Sequence, residues 1–223
     1  MNFKTYVLND LVEVQRKNIK PQMYQDVTFE HYSLPSFDDG KKPEISLGKN
    51  IKSTKYIIPK EAILFSKLNL RFKRVWKVNN EENKKTKICS TEFFPVVIKD
   101  ENIIDLDYLY YNLISDQFIN ELEKTAGGTS GSHQRISLDS FLNKEIQVPE
   151  LKEQKVIAGI LSTLDQKISV NNQICNKIEM LSRTIFKHWF IDFEFPNENG
   201  DPYKSSGGEM VESELGLIPR DWE

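Results

Sequence analysis

The residues with most chemistry per unit length lie in one short stretch, "GGTSGSHQR", Gly127 to Arg135. Three of the chain's ten glycines fall within its first five residues, and the side chains of Thr129, Ser130, Ser132, His133, Gln134 and Arg135 crowd donors and acceptors beside that open backbone. Three chemistries use such a combination: a phosphate cradle, a catalytic loop and a loop that reads nucleic-acid bases. The stretch lacks the lysine that a P-loop sends to the phosphates, and no GxGxxG follows a strand. Ser132 and His133 are sequence neighbours, which on a loop rarely face each other, and no GxSxG elbow is present. His31, His133 and His188 are scattered at no metal-ligand spacing. Asp105 and Asp107 stand at the start of an expected helix, where acids belong electrostatically. The reading is therefore of no catalytic set, no metal site and no cofactor. Binding fits better, because Gln134 and Arg135 can each make paired contacts to a base edge, typically adenine and guanine respectively. A surface loop without a ligand fits the same residues.

Charge is distributed unevenly. The net charge of −3 taken alone argues against a nucleic-acid partner. Between Lys52 and Lys87, however, eleven basic residues meet only three acids, whereas from Leu151 onward eight basic residues face twelve acids. Such asymmetry suggests one region that meets a polyanion and another with a different task. Lys67, Arg71, Lys73 and Arg74 are the candidates for phosphate contacts, which supply affinity without sequence information. Tyr56, Phe65, Phe72 and Trp76 lie in the same basic segment, where they could stack on bases or, for most of them, fill the core. Two distant cysteines, Cys89 and Cys175, form no CxxC pair and point to free thiols in a cytoplasmic protein. No apolar run is long enough for a membrane span.

These residues need elements to hold them. Residues 1–150 read as a mixed α+β domain. Asn9 is placed to cap a short helix through Val14, and "KYIIPKEAILFSKLNLRFKRVWKV" and "ICSTEFFPVVIK" have strand character. "LDYLYYNLISDQFINELEKTA" has helical spacing and stops at Gly127-Gly128. "SLDSFLNKEIQVP" reads as a short capped helix and then a strand. From Leu151 the pattern changes to one long amphipathic helix, with a seam of Ile157, Leu161, Leu164, Ile168, Asn171, Ile174, Ile178, Leu181, Ile185 and Trp189. At 1.5 Å per residue it would run about 60 Å, and it needs a partner along its length. A polar Asn171 in the seam suits a register-fixing position in a coiled coil. Residues 196–223, rich in Gly, Ser, Pro and acids, read as a linker or tail.

"GTSGSHQRISLDSFLNKEIQVPELKEQKVIAGILSTLDQKISVNN", together with "LSRTIFKHWFIDFEF" and the tail after it, resembles the specificity subunit of type I restriction–modification enzymes. The resemblance is close over about half the chain and holds only in outline before Asp105. It implies a target-recognition domain at 1–150, a helical spacer that docks partners at 151–195, and a tail leading toward a second repeat at 196–223. It also implies a non-catalytic reader of a bipartite site in double-stranded DNA. Methylation belongs to modification (methyltransferase) subunits, through which restriction subunits join. The family's spacers pair as an antiparallel coiled coil. One recognition domain and one spacer make about half of a usual subunit, either a natural half-length protein or a truncated one. The exposed seam then predicts a homodimer. A competing expectation is a half-subunit that regulates the modification subunit without reading DNA alone.

Overall fold

The computed structural model describes residues 2–59, 61–79, 85–125, 135–214 and 216–222. The chain divides into two compact units, the first ending at Ser162 and the second beginning at Thr163. In chain order the first unit contains β1 (Lys4–Val7), α1 (Leu8–Leu11), β2 (Val12–Val14), β3 (Asn18–Ile19), β4 (Thr28–Tyr32), α2 (Leu34–Asp38), β5 (Glu44–Leu47) and β6 (Lys55–Ile57). There follow β7 (Ala62–Ser66), β8 (Val75–Val78), β9 (Thr86–Ser90), β10 (Phe93–Ile98), α3 (Leu106–Ile114), α4 (Asp116–Glu123), α5 (Leu138–Leu142), β11 (Glu145–Val148) and the root of α6 (Leu151–Phe186). This is the expected mixed α+β class with a long helix after it.

β7 explains how the layers stack. Every one of its residues is buried, and successive side chains of a strand point to opposite faces. Ile63 and Phe65 join a core with Leu109, Leu113, Phe118, Leu122 and Phe141 from the helices, while Ala62 and Leu64 join a second core with Tyr32, Trp76, Cys89 and Phe93. The antiparallel sheet β2-β10-β7-β8 therefore lies between the helices and the five-stranded sheet β3-β6-β9-β4-β5, in which only β4 and β9 run parallel. β1 pairs separately with β11, joining the unit's beginning to its end.

Two local expectations differ in detail. The first helix is Leu8–Leu11, with Asn9 inside it and Val7 as a cap without a side-chain hydrogen bond, and it stops at Leu11 because Val12–Val14 are drawn into pairing with β10. The helical run after Asp105 is two helices: Ser115 takes an extended conformation (ψ 146°), and its side chain accepts from the Phe118 N–H to start α4. α4 ends at Glu123, and the expected stop at Gly127-Gly128 lies outside the described residues. Ser137 caps α5 as expected, accepting from the Ser140 N–H at 3.0 Å.

Gln154 fixes the root of α6. Its side chain is fully buried, and its Oε1 accepts the Asp105 N–H at 2.8 Å. Its Nε2 donates to the carbonyls of Ile103 and Pro149, both at 2.9 Å. Asp105 in turn caps α3 through the Tyr108 N–H, and the Tyr108 hydroxyl donates to the Gln147 carbonyl. Ala158 and Ile157, one turn on, pack against the helical core.

In the second unit α6 continues to Phe186, a total of 36 residues or about 54 Å, and ends in a π-helical turn, Lys187–Ile191. Residues 196–223, expected as a linker or tail, contain a hairpin of β12 (Met210–Ser213) and β13 (Gly216–Pro219). The Trp222 ring stands 5.3–5.5 Å from those of Phe190, Phe193 and Phe195, and Phe195 stacks on Tyr203 at 4.6 Å. Aromatic contacts of this kind carry no periodicity that a sequence pattern reveals.

Two stability outcomes follow. Gln154→Leu strands one N–H and two carbonyls in the core, so a loss of about 3 kcal/mol is expected, read as a lower urea midpoint. His31 is buried, and burial first, then the charge of Lys55, holds its pKa below the ordinary 6.5 despite the opposing pull of Glu44. The unfolded chain then takes up the proton first, so stability is full above about pH 6.5 and falls as pH drops through the folded value. Thermal midpoints should decline as pH falls below about 6.5, and His31→Gln should flatten that decline.

Candidate nucleic-acid interface

The four candidate phosphate ligands all lie in the loop from Lys67 to Arg74 that joins the neighbouring strands β7 and β8. Ser66 starts the bend: its Oγ accepts from the Leu68 N–H, and its own N–H donates to the Arg74 carbonyl across the loop's base. A 3₁₀ turn, Leu70–Phe72, forms the far part of the loop, with Asn69 (φ 47°) and Lys73 (φ 45°) in the left-handed region on either side. Left-handed backbone at two non-glycine residues is strained and persists only where its surroundings over-determine it. Here the buried Leu70 and the β7–β8 pairing do so.

The second candidate segment meets the first. Arg135 forms an antiparallel bridge with Leu68, and the Ile136 N–H donates to the Lys67 carbonyl at 3.0 Å. Glu92, in the turn between β9 and β10, serves both segments: one oxygen accepts from Arg135 at 3.0 Å, and the other lies 3.9 Å from Lys67 Nζ. Thr129, Ser130, Ser132, His133 and Gln134 lie outside the described residues, so of the expected reading loop only Arg135 is placed.

The carboxylates were not legible as partners in the sequence. Arg74 makes a bidentate pair with Asp38, both contacts at 2.7 Å, and Lys73 reaches Asp116 at 2.6 Å. With Glu92 this gives three carboxylates beside five cations. Arg71 has no carboxylate partner among the described residues. Its guanidinium carbon lies 4.8 Å from the Phe72 ring centroid, and that of Arg74 lies at 4.6 Å. The Arg74 hydrogen bonds hold the Asp38 carboxyl below its usual pKa, against a smaller effect of burial. Acids so scattered along the chain (positions 38, 92 and 116) gave no spacing signal.

A cleft of about 930 Å³ elsewhere in the first unit is lined by Glu61, Glu101, Asp105 and Asp107 with Lys77 and Lys155. Its excess of carboxylates would repel a phosphate backbone, and it contains none of the expected DNA contacts. No group of three or more metal-ligating side chains occurs among the described residues, and none of their helices is long and apolar enough to cross a membrane.

The seam residues divide along α6. Ile157 packs on the first unit's core and Leu161 is half-buried, whereas Leu164, Ile168, Ile174, Ile178, Leu181, Ile185 and Trp189 are exposed, as is Asn171.

Residues 1–180 match the family model of the type I restriction modification DNA specificity domain. The chain belongs to this family. Its sequence is 28% identical over 218 residues to the type I restriction enzyme HindI specificity subunit of Haemophilus influenzae, covering 97% of this chain and 47% of that one. It is 31% identical over 122 residues to the MjaVIII specificity subunit of Methanocaldococcus jannaschii, 54% of this chain and 25% of that one. The fold is similar to that of the HsdS subunit from Thermoanaerobacter tengcongensis, with a TM-score of 0.62 at 19% identity, over 94% of this chain and 53% of that one. The S subunit from M. genitalium gives a TM-score of 0.56 at 17% identity, over 86% of this chain and 46% of that one. This specificity-domain chain thus spans about half the length of the Haemophilus relative and of these solved structures.

Breaking the Asp38–Arg74 pair offers a direct check on the loop's electrostatics. In Arg74→Gln the Asp38 carboxyl should titrate at a higher pH than in the wild type, measured by carboxyl-carbon NMR. No change would mean that the pair does not form in solution.

Proposed function

We propose that this chain reads DNA sequence as the specificity component of a type I restriction–modification system and carries no catalytic site of its own. The observation that supports this most directly is the junction of Lys67–Leu68 with Arg135–Ile136. It puts the basic loop and the exit of the glycine-rich stretch side by side, phosphate-binding character next to base-reading character. In this reading Lys67, Arg71, Lys73 and Arg74 meet phosphates, and Thr129, Ser130, Ser132, His133, Gln134 and Arg135 form the reading loop. Residues 1–150 are the recognition domain, 151–195 the spacer and partner-docking region, and 196–223 the tail. Leu164 to Trp189 pair with a second copy as an antiparallel coiled coil, which gives a two-fold dimer suited to a palindromic bipartite site. Modification subunits dock on the spacer, and restriction subunits join through them.

A regulatory half-subunit that binds the modification subunit without reading DNA alone has one observation in its favour. Three of the four candidate phosphate ligands already have carboxylate partners.

Selection of a random duplex pool by the chain with its modification subunit separates the two. The DNA-reading proposal expects an enriched bipartite sequence. Arg135→Ala should flatten the preference at one position at a cost of about 1–3 kcal/mol there. Lys73→Ala should weaken all sequences alike and lower the salt slope by about 1. No enrichment at any salt concentration would leave the regulatory reading.

A further inference from the structure

The basic segment carries four aromatic side chains, and the fold absorbs three of them. Phe65 and Trp76 are buried in the two cores on either side of β7, and Tyr56 packs against the second. Phe72 is the exception: it is 50% exposed, in the turn of the Lys67–Arg74 loop. The turn that presents it is anchored by buried Leu70 and bounded by two left-handed residues. The guanidiniums of Arg71 and Arg74 lie over the ring, and Arg74 is itself fixed by Asp38. An apolar ring is thus held in place, half in water, among cations suited to phosphates. Phosphate binding alone gives no reason for it, since counterion release needs charge and not apolar surface.

On the reading of the loop as a DNA contact, the ring's apolar complement is narrowly defined. The major groove presents one apolar group on its base edges, the 5-methyl of thymine. Insertion between bases would need the ring's π surface, which the two guanidiniums already engage. A methyl contact needs only the ring surface that remains open. We infer that Phe72 is a specificity-determining residue that packs on a thymine 5-methyl in the major groove, next to the phosphates met by Arg71 and its neighbours. It reads a base that neither Arg135 nor the glycine-rich stretch need reach.

The test uses the full chain with its modification subunit and the duplex that the wild type selects. Each thymine of that duplex is replaced in turn by deoxyuridine, which removes the methyl and leaves every hydrogen-bonding group. At one position the loss should be roughly three- to five-fold for the wild type, the size expected of one apolar carbon. Phe72→Leu should keep most of that loss, and Phe72→Ala should show none. The salt slope should be the same in all three, because no charge changes. A selected duplex in which no thymine methyl is coupled to residue 72 overturns this inference and leaves the DNA-reading proposal standing. So does a Phe72→Ala chain that weakens every sequence equally. A wild-type chain that selects no sequence overturns both.

Discussion

A buried primary amide has no water to exchange with, so Gln154 must find all its partners within the fold or destabilise it. It finds three, on the strand exit at Pro149 and on the two residues Ile103 and Asp105 that precede α3. Apolar packing alone would let the first turns of α6 slide or rotate at little cost, because dispersion contacts are non-directional. Hydrogen bonds to three backbone groups have one geometry. The root of the longest helix is thereby fixed on the same segment that caps α3, and α3 and α4 pack on the face of the sheet that contains Phe65. The same bonds that hold the first turns of the helix thus also tie down the segment that leads into α3.

The loop obeys a different economy. Its cations other than Arg71 are paired, but the pairs are at least partly solvated, and such pairs contribute only about 0–1 kcal/mol each. They therefore orient Lys67, Lys73, Arg74 and Arg135 without locking them, and a phosphate oxygen can replace a carboxylate oxygen at small cost. Pairing also limits indiscriminate binding. Five unpaired cations would hold any polyanion, whereas cations shared with Asp38, Glu92 and Asp116 favour a ligand whose phosphates are well placed. In the DNA-reading proposal, such pairing would lower the sequence-independent part of the affinity.

Much of this architecture was legible because it rests on periodicity and caps. The 3.6-residue pattern from Leu151, the Ser137 cap and the strand character around Ala62–Ser66 each follow from local rules, and each appears in the structure, although β7 is buried on both faces. The split at Ser115 was harder to see, since it shows only as one five-residue step, Leu113 to Phe118, between the four-residue steps Leu109–Leu113 and Phe118–Leu122. The candidate loop's cations were legible, and their carboxylate partners were not. Asp38, Glu92 and Asp116 reach the loop from an α2 terminus, a turn and an α4 terminus, a proximity that only the tertiary fold creates. Gln154 has no signal of its own in the sequence, because its burial depends on the loop at Ile103–Asp105, some fifty residues earlier in the chain.

The exposed seam bears on how such a chain would read DNA. Seven apolar seam side chains from Leu164 to Trp189 are 38–59% exposed, so covering what remains of each is worth about 0.7–1.5 kcal/mol, and a symmetric pair of helices would cover both sets. Together that is roughly 10–20 kcal/mol, comparable to or above the estimated 4–15 kcal/mol lost in association. A second copy of the helix could supply a matching face, and an antiparallel arrangement would put the two copies of Asn171 at symmetry-related positions, where a polar side chain can fix register. In such a pairing register would matter more than affinity. Sliding one helix past the other by a single turn moves it about 5.4 Å, more than one base-pair step of about 3.4 Å. In the proposed dimer a polar seam residue that costs stability would therefore contribute to accuracy, by disfavouring shifted registers of the two helices.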